Sequence, residues 1–149
     1  MKTLPNSIFF AEVEKLLAEG KNVMLTVQGN SMRPFIRSGR TKVLLSTCNP
    51  TELKKGDVVL FRFRGRHILH RIVKRNEREF LLAGDGNYKI FERCGLDDIV
   101  AKAVTVIRPN GREIDCESRL WRFGSVCWTS LHPFIRRCIL AFLWRVGIK

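Results

Sequence analysis

The sequence lacks the features that secreted, metal-binding and membrane-spanning proteins use. Its five cysteines are odd in number and none shows C-x-x-C spacing, which argues against a disulfide framework and against a zinc site. The histidines, His67, His70 and His132, also give little support for a metal site. The apolar stretch Cys138 to Trp144 is seven residues long, far short of the ~20 needed to cross a bilayer. We therefore expect no metal or cofactor, reduced thiols and a cytoplasmic location, with attachment to the inner face of a membrane left open.

Acidic residues are scarce. The chain has 27 Lys and Arg against 14 Asp and Glu, a formal net charge of +13. Such a charge favours nucleic acid or an anionic membrane surface as partner, unless it only solvates the surface. In the run Phe61-Arg62-Phe63-Arg64 the arginines alternate with apolar residues, as on a half-exposed strand. No helix-turn-helix pattern precedes this run, so nucleic acid is the less expected partner.

The 149 residues predict one domain with three regions. Residues 1–22 contain an amphipathic helix over 7–19, interrupted by charges and therefore not a membrane anchor. Residues 23–112 contain short apolar runs between turn residues, which predict a mainly β fold with a coiled antiparallel sheet. The predicted strands are 23–27, 41–46, 57–64, 67–74, 79–83 and 100–107.

Residues 113–149 form a basic, aromatic-rich tail. Its apolar positions and its five arginines predict two helical pieces divided at Pro133. Interleaved Trp, Phe and Arg suit a helix lying on an anionic membrane surface. The same pattern suits a tail that packs on the β domain, and the two interpretations are compatible.

Three short motifs carry the chemistry. Residues 29–34 read Gly-Asn-Ser-Met-Arg-Pro and place Ser31 in a bend after a strand, where its hydroxyl is exposed. His70 lies in a later apolar run and can act as the base that a serine nucleophile needs. Asp85 lies in a Gly-Asp-Gly-Asn turn, where it either orients the histidine or binds backbone amides of its own turn.

These motifs resemble the signal peptidase I family and its LexA-like relatives. The resemblance runs from about residue 23 to residue 106 and includes Gly56-Asp57-Val58-Val59 and the strand 98–104. Family members usually have a lysine base, whereas His70-Arg71 resembles the endoplasmic-reticulum and archaeal-type branch. Unlike ordinary leader peptidases, this sequence shows no N-terminal transmembrane anchor.

The resemblance implies a role for each motif. Ser31 is the nucleophile within a box formed by Gly29, Asn30, Met32 and Pro34. His70 is the general base, and Asp85, or alternatively Asp97 or Asp98, is the acid that assists it. His67 is three residues from His70, so the two side chains point to opposite faces of one strand and only one can face Ser31.

The sequence accounts for only one of the two hydrogen-bond donors expected in the oxyanion hole. The N–H of Ser31 is one expected donor. Many family members carry a hydroxyl residue two positions before the nucleophile, where this chain has Gly29. Either Asn30 substitutes for that residue or the second donor is absent.

These features predict a serine endopeptidase that cuts a leader or pro-segment from an extended peptide. The alternative is a module of the same fold that binds an extended peptide by strand addition without hydrolysing it. The substrate sequence and the oligomeric state stay open.

Overall fold

The computed structural model describes residues 6–87 and 89–147. Helix α1 (Asn6–Ala18) is followed by strands β1 (Val23–Thr26), β2 (Lys42–Ser46), β3 (Val58–Phe63), β4 (Arg66–Arg75) and β5 (Glu79–Ala83). Strands β6 (Glu92–Gly95), β7 (Ile99–Ile107) and β8 (Glu113–Asp115) complete the sheet, and helices α2 (Arg119–Ser130) and α3 (Pro133–Arg145) follow. The expected mainly β class, with helices at both ends, is confirmed.

All the strand pairs are antiparallel. The order across the sheet is β1-β2-β7-β3-β4-β5-β6, and β8 pairs with β7 outside that path. The β3–β4 and β4–β5 connections are hairpins. In the first, Arg64 (φ 49°) and Gly65 (φ 73°) both adopt left-handed conformations, as a tight hairpin turn requires. Strand β1 is at the edge of the sheet and, among the described residues, pairs with β2 alone.

The sheet has a core on each face. Val58 and Leu60 of β3 pack in one cluster with α1, Met32 and Trp121, whereas Val59 and Phe61 pack in a second cluster with β5. Alternate side chains of a strand point to opposite faces, so a run of apolar residues in β3 serves both clusters. The nucleophile segment lies on the first face.

Two strands were not predicted. Strand β6 reads Glu-Arg-Cys-Gly and β8 reads Glu-Ile-Asp, and neither has the apolar alternation that marks a half-buried strand. Both strands form by pairing with a longer neighbouring strand: β6 pairs with β5, and β8 pairs with β7. Strand β8 lies within the range expected to be the helical tail.

The tail packs on the sheet and keeps an outer apolar face. Trp121, Ser125 and Trp128 recur every three or four residues and form the buried side of α2. Helix α3 begins at Pro133, after His132, whose Nδ1 accepts the N–H of Phe134. Within the described residues, neither these helices nor α1 is long and apolar enough to span a bilayer.

Candidate functional site

The nucleophile segment is anchored by the residue after the serine. Met32 is 1 % exposed and packs in the first core cluster with Ile36, whereas Ser31 is exposed. The N–H of Ile36 donates to the carbonyl of Met32, closing the bend that contains Pro34. Burial of Met32 therefore fixes the bend and presents the Ser31 hydroxyl to solvent.

The turn Gly84-Asp85-Gly86 after β5, here called the glycine turn, holds the Ser31 bend in place, because its backbone lies very close to the backbone of Ser31. The N–H of Gly86 donates to the carbonyl of Ser31 at 2.7 Å. A Cβ on Gly84 would lie 2.4 Å from that same carbonyl oxygen, so only glycine fits at this position. Ala83, just before the turn, pairs with Arg71, so the Ser31 segment lies over the Arg71 side of β4. His70, the preceding residue, pairs with Val59 of the second core cluster.

His70 is paired with an acid that was not predicted. Its Nδ1 lies 2.9 Å from Oε2 of Glu92, and both side chains are buried. A carboxylate accepts, so Nδ1 is the donor of this hydrogen bond. Among the described residues, no hydrogen bond joins Nε2 to Ser31 Oγ.

Asp85 has a different partner, which corrects the expectation that it orients His70. Its Oδ1 and Oδ2 accept from Nε and Nη2 of Arg71 at 2.7 and 2.8 Å. Both side chains are almost completely buried. Neighbouring residues of a strand point to opposite faces, so an acid on the Arg71 side of β4 is on the wrong side for His70.

The buried Arg71 guanidinium is enclosed by groups from distant parts of the chain. Its Nη1 donates to the carbonyl of Gly56 at 2.9 Å and to the hydroxyl of Ser125 on α2. The rings of Phe35 and Trp121 lie against it, with centroids 4.8 and 5.3 Å from Cζ. These contacts distribute the charge of a cation that has no access to water.

The tail helices also bind the backbone of the glycine turn. Trp128 Nε1 donates to the carbonyl of Asp85 at 3.0 Å, and Nη2 of Arg136 on α3 donates to the same oxygen at 3.3 Å. The C-terminal helices are therefore part of the support beneath the Ser31 segment.

The remaining predicted acids and histidines lie elsewhere. Asp98 Oδ2 accepts the N–H of Gly95, and the Asp97 carbonyl accepts from Arg62. His67 stacks on Phe10 of α1 with ring centroids 4.3 Å apart, and its Nε2 contacts Glu14. The predicted separation of His67 from His70 by strand parity is consistent with these different partners.

Ser38, which lies outside the nucleophile box, places a second hydroxyl against it. Gly29 adopts φ 89°, and its N–H donates to Oγ of Ser38 at 2.9 Å. The N–H of Ser31 makes no hydrogen bond within the described residues, so it is available as a donor. Asn30 is exposed, and its carbonyl accepts the N–H of Arg33.

An antiparallel sheet with a serine in a buttressed bend is the arrangement expected of a serine-peptidase-type fold. The chain matches the Peptidase S24-like family model over residues 3–99, more than half of its length, and belongs to that family, which covers the LexA and signal peptidase superfamily. No curated protein matches the chain. Glu92 lies inside the matched range, whereas α2 and α3 lie outside it.

Proposed function

We propose that the protein is a serine endopeptidase that removes a leader or pro-segment from a peptide, with Ser31 as nucleophile, His70 as general base and Glu92 as the acid that orients His70. The observation that carries this proposal is the buried contact of 2.9 Å between His70 Nδ1 and Glu92 Oε2. In a neutral imidazole, a hydrogen bond from Nδ1 to this carboxylate leaves Nε2 as the acceptor, which is the form a general base requires.

The proposed reaction has two halves. His70 Nε2 takes the proton of Ser31 Oγ as the oxygen attacks the peptide carbonyl, and the imidazolium then protonates the leaving amine. A water molecule, deprotonated by His70, hydrolyses the acyl-serine and restores both groups. Glu92 stabilises the imidazolium in each half, because its carboxylate is buried beside Nδ1–H.

The oxyanion in this scheme is bound by the N–H of Ser31 and a second donor. Gly29 has no side chain to offer, but Ser38 Oγ accepts the Gly29 N–H and keeps its own proton to donate. We propose Ser38 as that donor. Substituting Ser38→Ala should lower kcat by ~10²-fold while leaving KM nearly unchanged.

Substrate is proposed to bind as an extended strand along the free edge of β1. A mostly apolar groove of about 330 Å³ lies between α1 and one face of the sheet, and its lining extends from β1 to β4. Phe10, Leu25 and Leu69 are among its lining residues. Main-chain hydrogen bonds to β1 would provide affinity, and the groove would select apolar side chains.

The test begins with a fluorophosphonate probe, which labels only an activated serine and needs no known substrate. Labelling of Ser31, located by mass spectrometry, should be lost in Ser31→Ala and His70→Ala and retained in His67→Ala, a matched control on the same strand. A peptide library then identifies the cleaved bond.

Histidine as base has its own signature. The kcat/KM for a cleaved peptide should level off below pH ~8.5, a pH at which an amine base of ordinary pKa, about 10.4, is still protonated. A profile that still climbs steeply above pH ~8.5 would indicate an amine base instead.

A peptide-binding module without hydrolysis is the second candidate, favoured by the absence of a hydrogen bond between Ser31 Oγ and His70 in the described residues. Binding of extended peptides to the wild type, combined with no probe labelling at any pH, would establish this reading in place of the peptidase.

A further inference from the structure

A cavity of about 600 Å³ lies beside the N-terminal end of α2, and Phe35 of the nucleophile bend lines one side of it. Arg37, Arg108 and Arg112 line it, and no acidic residue does. Phe35 and Trp121 form its apolar wall. We call this the arginine cavity.

The three guanidinium groups are not compensated. Among the residues that the structure describes, none of the three makes a salt bridge or a side-chain hydrogen bond. Burial lowers the pKa of Arg108, and the nearby charges of Arg37 and Arg112 lower it further. Three like charges gathered without a partner destabilise the fold unless an anion binds between them.

The rim of the arginine cavity is apolar and exposed. Leu120 lines the cavity and is 80 % exposed, and Phe123, three residues further along α2, is 70 % exposed. Residues three apart share one face of a helix, so these two side chains form a stripe opposite the buried face of Trp121 and Trp128. From Arg119 to Gly147 the chain contains five arginines and no Asp or Glu.

We propose that this surface binds an anionic phospholipid membrane, with a lipid phosphate in the arginine cavity and with Leu120 and Phe123 inserted among the lipid chains beside it. Arginine forks match phosphate oxygens in geometry as well as charge. The N-terminal end of α2, at Ser118, adds partial positive charge of the same sign.

A bilayer fits better than a soluble phosphate or a nucleic acid because of the apolar stripe. Neither of those partners would cover Leu120 and Phe123, whereas a bilayer surface presents phosphate and hydrocarbon within one side-chain length of each other. Apolar insertion and electrostatic attraction would then act together.

The experiment is co-sedimentation with vesicles of phosphatidylcholine, and with vesicles of equimolar phosphatidylcholine and phosphatidylglycerol. The wild type should bind the second and not the first, and binding should weaken as NaCl is raised from ~0.1 to ~0.5 M. The triple variant Arg37→Gln, Arg108→Gln, Arg112→Gln should bind at least tenfold more weakly.

A control variant separates the cavity from the overall charge. This control removes three exposed positive charges near the hairpin turns, by the substitutions Arg66→Gln, Lys74→Gln and Arg78→Gln. Its formal net charge therefore falls from +13 by the same amount as that of the cavity variant. This control should bind nearly as the wild type does. A third variant, Leu120→Gln with Phe123→Gln, keeps every charge and should also bind at least tenfold more weakly.

Equal binding by the two triple variants would overturn the proposal, since the attraction would then be diffuse. It would also be overturned if glycerol phosphate alone bound as tightly as vesicles, or if the cavity variant lost affinity for duplex DNA while keeping its affinity for vesicles. Ser31→Ala should bind vesicles normally, which keeps this test independent of peptidase activity. Urea unfolding of each variant confirms that the fold is intact.

Discussion

The substitution Asp85→Asn tests whether Asp85 is a structural acid, paired with Arg71, or a catalytic acid. The substitution keeps the shape of the side chain and removes the charge that faces Arg71. In the wild type, Arg71 makes two bonds to the carboxylate and two to the Gly56 carbonyl and Ser125 hydroxyl. The variant leaves a guanidinium that is 0 % exposed without a counter-charge.

The expected cost follows from that burial. Removing one partner of a buried ion pair destabilises a protein by about 3–5 kcal/mol. For a chain of this length each kcal/mol lowers Tm by roughly 2–4 °C, so Asp85→Asn should lower it by about 6–20 °C. Urea unfolding followed by tryptophan fluorescence should show the same loss with an unchanged m-value.

Glu92→Gln is the matched control, because it is also a buried carboxylate changed to its amide. Its partner His70 can remain neutral, so we expect a stability loss of only about 1 kcal/mol together with a large fall in fluorophosphonate labelling. If Asp85→Asn instead left Tm within a few degrees and abolished labelling, Asp85 would be the catalytic acid. Arg71→Met in the Asp85→Asn background should recover part of the lost stability, since it removes the unpaired charge.

Three further predictions rest on other parts of the structure. The hydrogen bond from Arg62, aided by His67 and opposed by burial, lowers the pKa of Glu14 to about 2, so its stabilisation is present above pH ~4.5 and is lost as the pH falls toward 2. Glu14→Gln should therefore cost about 0.5–1 kcal/mol in urea unfolding at pH 7 and almost nothing at pH 2, a modest value because the pair is partly exposed. Gly84→Ala should cost about 1–3 kcal/mol and slow labelling of the nucleophile by at least tenfold, because its Cβ displaces the serine backbone; normal labelling would contradict the contact. Burial raises the pKa of Cys94 and Cys116 to about 12, so a thiol reagent at pH 8 should modify the exposed cysteines of α2 and α3 quickly and these two only after unfolding.

The sequence carried enough information for the longer strands but not for β6, for β8 or for the acid that pairs with His70. Long strands such as β4 contain apolar residues between turn residues, so the sequence pattern identified them. Strand β6 is four residues long and mostly polar, and it forms because its residues pair with β5, Leu82 opposite Glu92. Nothing local in Glu-Arg-Cys-Gly indicates that its glutamate is buried against His70.

The assignment of Asp85 failed for a reason that the sequence did contain. Strand parity separates His67 from His70, and the same parity separates His70 from Arg71. An arginine fixed inside a strand needs a buried carboxylate on its own face, and Asp85 was the acid in the nearest turn motif. Applying parity to Arg71 as well as to the histidines would have assigned Asp85 to the arginine.

The contact of α2 and α3 with the glycine turn determines where the chain can be truncated without loss of its fold. A fragment ending at residue 99, the limit of the family match, would lack β8, most of β7 and both helices. The buried charge of Arg71 would lose the Ser125 hydroxyl and the Trp121 ring, and the Asp85 carbonyl would lose both of its donors. Cooperative unfolding should therefore include the C-terminal helices together with the sheet, and the smallest autonomous unit is set by hydrogen bonding rather than by family boundaries.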